Sequence, residues 1–197
     1  MSDGDDEEEP SYGRTILTRR LRLRPHEPAD RAAIAALTAN PAIAENLCSR
    51  VVVDAASKSA AFVVVKRSDG AVIGGAWFGP DADARSSAEL TAWIGEPFWG
   101  LGYGTEAAQA VIDRAFGEPG IVRLWCAIRV TNRRGRRVVE KCGFQFRGTG
   151  MVRSHFGFGA FPVERFALDR ADWSSLKAWG AERQPGAGVE SRHETAA

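Results

Sequence analysis

Three glycines at alternate positions, Gly100, Gly102 and Gly104, separate a segment of strand character from a segment of helix character. That order lets a chain present bare backbone N–H groups to a phosphate. Glycine allows a ligand to approach the main chain closely, and the start of the following helix adds unpaired donors and a partial positive charge. Two well-known phosphate loops share such glycines, and neither fits. A dinucleotide loop follows the first strand of a parallel unit and needs an acid about twenty residues further on. Here the loop follows the fourth strand, and the next strand ends without an acid. A P-loop requires Gly-Lys-Ser/Thr, whereas this chain reads Gly104-Thr105-Glu106. The bland alternative is a glycine-rich turn with no ligand.

A second cluster lies further downstream, where Asn132 precedes Arg133, Arg134, Arg136 and Arg137. The asparagine can cap a helix, and the arginines suit either a phosphorylated ligand or a solvated helix face. A nucleic-acid surface would call for interleaved aromatics. This segment lacks them, so nucleic acid is not the expected partner. Glu106 suits the first turn of a helix, where the dipole favours a carboxylate. Cys48, Cys126 and Cys142 are widely spaced, in apolar contexts and with no second Cys or His at metal spacing. They read as buried, reduced thiols, and no metal is expected.

These groups need elements to hold them. Leu17 to Arg24 reads as a strand closed by Pro25, followed by a helix over Pro28 to Ala39 and a short second helix over Pro41 to Leu47. The run Ala61–Lys66, the turn Ser68-Asp69-Gly70 and the run Ala71–Phe78 form a hairpin. Ala88–Ile94 alternates, with Leu90, Ala92 and Ile94 on one face and Glu89, Thr91 and Trp93 on the other. After the glycines, Ala107, Ala108, Val111, Ile112, Ala115 and Phe116 make one helical stripe. Ile121–Val130 is a strand, Asn132 starts a helix that Gly143 ends, and strands near Phe144–Val152 and Phe161–Leu168 complete the sheet. Arg170–Trp179 reads as a terminal helix. This order implies a mixed sheet with helices on its faces.

A chain of 197 residues, 44% hydrophobic and 26% charged, suits a single compact domain, which the pattern places at residues 15–180. Residues 1–14 and 181–197 lack periodicity and read as disordered tails. No apolar run approaches the ~20 residues of a membrane span, and the acidic start does not resemble a secretory signal, so a cytoplasmic protein without a membrane partner is expected. Asp3, Asp5, Asp6, Glu7, Glu8 and Glu9 hold six negative charges, so an overall net charge of +1 leaves the remainder near +7. That remainder can attract a polyanion.

The string Glu96-Pro97-Phe98-Trp99-Gly100-Leu101-Gly102-Tyr103-Gly104-Thr105-Glu106-Ala107 resembles the acetyl-CoA signature of the GNAT N-acetyltransferases, in the form typical of the RimJ/RimL-like branch. A second match follows, with Asn132, then Val138-Val139-Glu140-Lys141-Cys142-Gly143-Phe144, then Gly148. The opening Leu21-Arg22-Leu23-Arg24-Pro25 is similar to the family's first strand. The resemblance covers roughly residues 15–170. It implies an α/β (α+β) GNAT fold, with a mixed, mostly antiparallel six- to seven-stranded sheet flanked by helices and splayed between strands 4 and 5. It also implies acyl transfer from acetyl-CoA to an amine in a ternary complex. Backbone amides of Leu101, Gly102, Tyr103, Gly104 and Thr105 would hold the pyrophosphate. Main-chain groups of Trp93, Ile94 and Gly95 would meet the pantetheine and the acetyl carbonyl, where amides that stabilise an oxyanion contribute several kcal/mol in typical acyl transfers. Asn132 would bond the pantetheine arm, and Arg134 would meet a CoA phosphate.

Acceptor chemistry follows from pKa values. At pH 7, deprotonating an α-amine costs roughly 1.4 kcal/mol and a lysine roughly 4.6 kcal/mol, so the first needs little help. Glu89 is the candidate base, in a place where related enzymes carry carboxylates; pairing with an arginine is its alternative role. Two departures from the family pattern stand out. Trp99 opens the loop in place of Gln or Arg, and Gly135 stands where some relatives carry a serine proposed as proton donor to the thiolate. No tyrosine occurs at 138–142 to replace it, which leaves unassisted departure, a water or Tyr103. The acceptor is a protein N-terminus or a small amine, with Ser154, His155 and Phe156 candidates to line its pocket, and a homodimer is compatible with the family. The competing functions are a non-catalytic acyl-CoA-binding or sensing module and a ribosome- or RNA-binding protein acting through the arginines.

Overall fold

The computed structural model describes residues 14–47, 60–81, 84–153 and 159–182. Cys48 and the acceptor candidates Ser154, His155 and Phe156 lie outside them, as do both expected tails apart from Arg14, Ala181 and Glu182.

The chain runs through β1 (Ile16–Leu17), β2 (Leu21–Arg24), a 3-10 turn (Pro28–Asp30), α1 (Arg31–Thr38), α2 (Pro41–Ala44), β3 (Ala60–Lys66), β4 (Val72–Asp81) and β5 (Ala84–Ile94). A second 3-10 turn (Glu96–Phe98) leads to α3 (Tyr103–Gly117), β6 (Arg123–Arg129), α4 (Arg133–Lys141), β7 (Gln145–Arg153), β8 (Ala160–Asp169) and α5 (Arg170–Glu182). The strands form one eight-stranded sheet in the order β1-β2-β3-β4-β5-β6-β8-β7. Every neighbouring pair is antiparallel except β5–β6. A parallel neighbour requires a crossover, and α3 supplies it.

The sheet has one strand more than the upper expectation because the first predicted strand breaks in two. The Thr18 amide donates to the Leu21 carbonyl at 2.9 Å, and the Leu21 amide donates back to Thr18 Oγ1 at 2.9 Å, and this pair turns the chain, so β1 folds back on β2. Leu21 and Leu23 are fully buried while Leu17 is 65% exposed. The hairpin β3–β4 forms as the sequence indicates, and α5 extends past Trp179 to Glu182.

The core lies between one sheet face and α3. Leu23, Val64, Ile73, Phe78, Leu90 and Leu168 from the sheet meet Val111, Ile112 and Phe116 from the helix. Each such fully buried side chain contributes about 1.5–3 kcal/mol. Three on α3 therefore outweigh the ~1 kcal/mol cost of a glycine in its first turn. Helix α1 covers the opposite face, where a Cβ built on Gly95 would lie 2.6 Å from Leu37 Cδ2. A further anchor is the two-pronged ion pair of Arg24 with buried Asp30, at 2.7 and 2.8 Å, which ties β2 to the start of α1. Among the described residues, no helix is long and apolar enough to cross a membrane.

Candidate active site

The sheet opens at its one parallel joint. Among the described residues, β5 and β6 pair only at Ser87–Arg123, Ala88–Leu124 and Glu89–Trp125. Beyond Glu89, β5 continues to Ile94 while β6 continues to Arg129 along β8, and a cleft of about 380 Å³ lies between and around their ends. Leu90 to Ile94 form one wall, and Cys126, Ala127 and Ile128 form the other. The phase of the backbone decides which groups face the gap. The Ser86 carbonyl accepts from Val122 N on the β6 side, whereas the Gly95 amide donates to the Ile73 carbonyl on the β4 side, at 2.8 Å in each case. Because main-chain direction alternates along a strand, Leu90, Ala92 and Ile94 turn their N–H and C=O groups toward the cleft.

One lip of the cleft is the glycine loop. The Trp99 indole N–H donates to the Ile94 carbonyl at 2.6 Å and fixes the loop to the end of β5. Gly102 caps α3 with φ +81° and brings no capping side chain. That left-handed conformation disfavours other residues. The first amide to close a helical turn is Glu106 N, onto the Gly102 carbonyl at 3.1 Å. The amides of Tyr103, Gly104 and Thr105 precede it, so helix geometry leaves them without partners inside α3, and all three residues line the cleft. A Cβ added to Gly104 would lie 3.7 Å from Val138 Cγ2 and 3.8 Å from Ile94 Cγ1. A methyl there makes only ordinary contacts. The Glu106 carboxylate accepts from Thr18 Oγ1 at 2.6 Å, from the Arg20 amide at 2.9 Å and from Arg20 Nε at 2.6 Å. Desolvation pushes its pKa up, but these bonds outweigh burial and hold it below the ordinary value.

The other lip is α4. Asn132 Oδ1 accepts from Gly135 N at 2.8 Å, a side-chain cap that leaves the amide nitrogen without a hydrogen bond among the described residues. That nitrogen sits so close to Gly135 that a Cβ there would come within 2.7 Å of it. Arg134 lies 4.8 Å from the centre of the Trp99 ring, so the two lips meet at the rim through a cation–π contact. Arg137 and Lys141 line the cleft on the same side of α4. Arg136 is committed elsewhere, to Glu140 at 2.8 Å and Glu164 at 2.7 Å.

Orphan amides at a helix start, facing a basic rim across a gap in a sheet, suit a long phosphorylated ligand. The sequence agrees: a family model described as an acetyltransferase (GNAT) domain matches residues 20–145. This chain is a GNAT acetyltransferase family member. No curated protein matches the sequence. Solved structures do resemble it in fold, among them a GNAT acetyltransferase from Bacillus anthracis (TM-score 0.68, 20% identity, covering 79% of this chain and 98% of that one). Spermidine N-acetyltransferase from Vibrio cholerae, solved with CoA and spermine, gives a TM-score of 0.67 at 18% identity over 80% of this chain and 99% of that one. RimL, a ribosomal L7/L12 α-N-protein acetyltransferase solved with coenzyme A, gives a TM-score of 0.63 at 16% identity over 79% of this chain and 98% of that one.

Within this GNAT fold, eight of the ten residues expected to bind the cofactor line one cleft: Trp93, Ile94, Gly102, Tyr103, Gly104, Thr105, Asn132 and Arg134. Leu101 and Gly95 are adjacent in sequence but not in the lining, and the Gly95 amide is already bonded to β4. Glu89 is half-buried at the point where β5 and β6 still pair, and is likewise not among the lining residues. Sequence reasoning missed Ala92, Arg20 and the place of Cys126 in the cleft wall. Ala92 follows from strand phase once β6 is known to flank β5, whereas Arg20 acts across 86 residues of chain, which no local pattern reveals. Among the described residues, no group of three or more His, Cys, Asp or Glu side chains is arranged to hold a metal.

Proposed function

We propose that this chain transfers an acetyl group from acetyl-CoA to an amine, by direct attack while both are bound, and that it belongs to the RimJ/RimL-like branch. The observation that carries this reading is the cleft through the β5–β6 joint, with unpaired α3 amides on one lip and the free Asn132 amide on the other. Acetyl-CoA supplies the activated acyl group as a thioester. The amides of Gly102 to Thr105 hold its pyrophosphate, Asn132 Nδ2, the inward main-chain groups of Ala92 and the Ile94 amide hold the pantetheine arm, and Arg134 takes a phosphate at the rim. An amide from β5 facing the acyl oxygen lowers the barrier by electrostatic preorganisation.

The acceptor enters from the opposite mouth, between α2 and the Trp93 face of β5. Ala42, Ile43, Asn46 and Leu47 line that end, giving it a mostly apolar wall. An α-amine or another weakly basic amine suits such a site better than a lysine, for it needs no strong base. Glu89, set back at the closed end of the joint, takes the proton through a water. The protein acts in the cytoplasm, where acetyl-CoA and reduced thiols occur together.

A second reading, acyl-CoA binding without turnover, draws on Gly135, which offers no hydroxyl to the departing sulfur. Incubation with labelled acetyl-CoA and peptide or small-amine libraries separates the two. Acceptor-dependent release of CoA supports transfer, whereas tight acetyl-CoA binding with no release on any amine supports the sensing module.

A further inference from the structure

Arg20, in the turn between β1 and β2, meets the glycine loop and the first turn of α3 at four residues. Its Nε bonds Glu106 at 2.6 Å and its Nη1 donates to the Leu101 carbonyl at 2.8 Å. Its guanidinium lies 4.5 Å from the centre of the Tyr103 ring, and its Nη2 would sit 3.3 Å from a Cβ on Gly102. From its own sequence the loop is held at its head by Trp99, but further along Gly102 brings no capping side chain and Gly100 and Gly102 both hold positive φ, at +77° and +81°. Glu106 presents a second difficulty. It places a negative charge in the first turn of α3, beside the amides that would receive a pyrophosphate, and like charges at that range oppose binding. The arginine fork answers both, since it is planar, always charged, and bonds a carboxylate and a carbonyl at once.

We infer that Arg20 is a positioning residue for the donor site: it fixes the glycine loop in its phosphate-receiving shape and offsets the Glu106 charge, without itself being needed at the reacting atoms. This rests on the acetyl-CoA reading above and concerns only the nucleotide end of the donor. Arg20 therefore acts on pyrophosphate binding through the loop and leaves the pantetheine end alone.

The test compares two donors on full-length protein, acetyl-CoA and S-acetylpantetheine, which carries the same thioester without pyrophosphate or nucleotide. Arg20→Met keeps the aliphatic stem and removes the fork, and Arg20→Lys keeps the charge but cannot span Glu106 and Leu101. Arg20→Met is expected to weaken acetyl-CoA about tenfold by calorimetry, and to leave S-acetylpantetheine within about twofold by NMR titration. Arg20→Lys should fall between it and wild type. Adding Glu106→Gln to Arg20→Met should recover part of the loss, because the uncompensated charge is gone. Equal weakening of both donors, or unchanged acetyl-CoA affinity in either folded Arg20 variant, overturns the inference while leaving the function standing. No acetyl-CoA binding by folded wild type overturns both.

Discussion

Gly102 and Gly104 are two residues apart in the same loop, yet replacing each with alanine should move stability in opposite directions. Gly102 sits at φ +81°, and a Cβ there would lie 3.3 Å from Arg20 Nη2. The left-handed backbone alone makes that Cβ cost about 1–2 kcal/mol. Gly104 has ordinary helical geometry in the first turn of α3, and the nearest neighbours to an added Cβ are at 3.7 and 3.8 Å, which is normal contact. There the alanine removes a glycine from a helix and should gain up to about 0.5–1 kcal/mol. With a urea m-value of about 2 kcal/mol/M, Gly102→Ala should lower the midpoint by roughly 0.5–1 M and Gly104→Ala should raise it by a few tenths. Equilibrium urea denaturation followed by tryptophan fluorescence reads both. Shifts of the same sign would refute the assignment of Gly102 as the left-handed cap of α3.

Asn132 should separate capping from ligand binding. Asn132→Asp keeps the oxygen that accepts from Gly135 N. It should therefore leave stability within about 0.5 kcal/mol, while Asn132→Ala should lose about 1 kcal/mol; both should weaken acetyl-CoA, as titration would show. Asp30 accepts a fork from Arg24, which together with the Glu27 amide outweighs burial and holds its pKa below the usual carboxylate value. The stability it contributes is therefore complete above the unfolded pKa near 4 and is lost as pH falls through the lower folded value. Asp30→Asn should accordingly destabilise by about 3 kcal/mol at pH 7 and by much less at pH 2, as thermal melts at the two pH values would read. The Cys142 thiol is pushed up to about 12 by burial and, secondarily, by Asp113. It should resist alkylation at pH 8 in the native protein and react on unfolding, as mass spectrometry would detect.

The residues that local rules govern were legible in the sequence. The β3–β4 hairpin follows from Ser68-Asp69-Gly70, α3 from its apolar stripe, and the α4 cap from Asn132, because each depends on neighbours within a few positions. The glycine loop and Asn132 were also recognisable as halves of one site, through the family pattern. Tertiary contacts account for the rest. Leu17, Leu21 and Leu23 share one alternation phase, so nothing local marks the turn at Thr18–Arg20; that turn is held from a distance by Glu106. The side-chain alternation of β5 is plain in the sequence, but which main-chain groups face the gap depends on which strand flanks each edge, and that is a property of topology. Trp99, a departure from the family pattern at the head of the loop, gains its role only when the Ile94 carbonyl and Arg134 are in view. Gly135 likewise is more than a missing serine, for the Asn132 amide occupies the space that a side chain at 135 would take.

Whether the cleft at the β5–β6 joint holds acetyl-CoA is answered by calorimetric titration of the donor into wild type and Gly104→Glu. Wild type should bind with micromolar affinity, and the variant should lose it, because its carboxylate stands in the cleft that Gly104 lines, beside the amides proposed to receive the pyrophosphate. Well-folded wild type that does not bind acetyl-CoA, or a variant that binds it as tightly as wild type, would contradict that assignment.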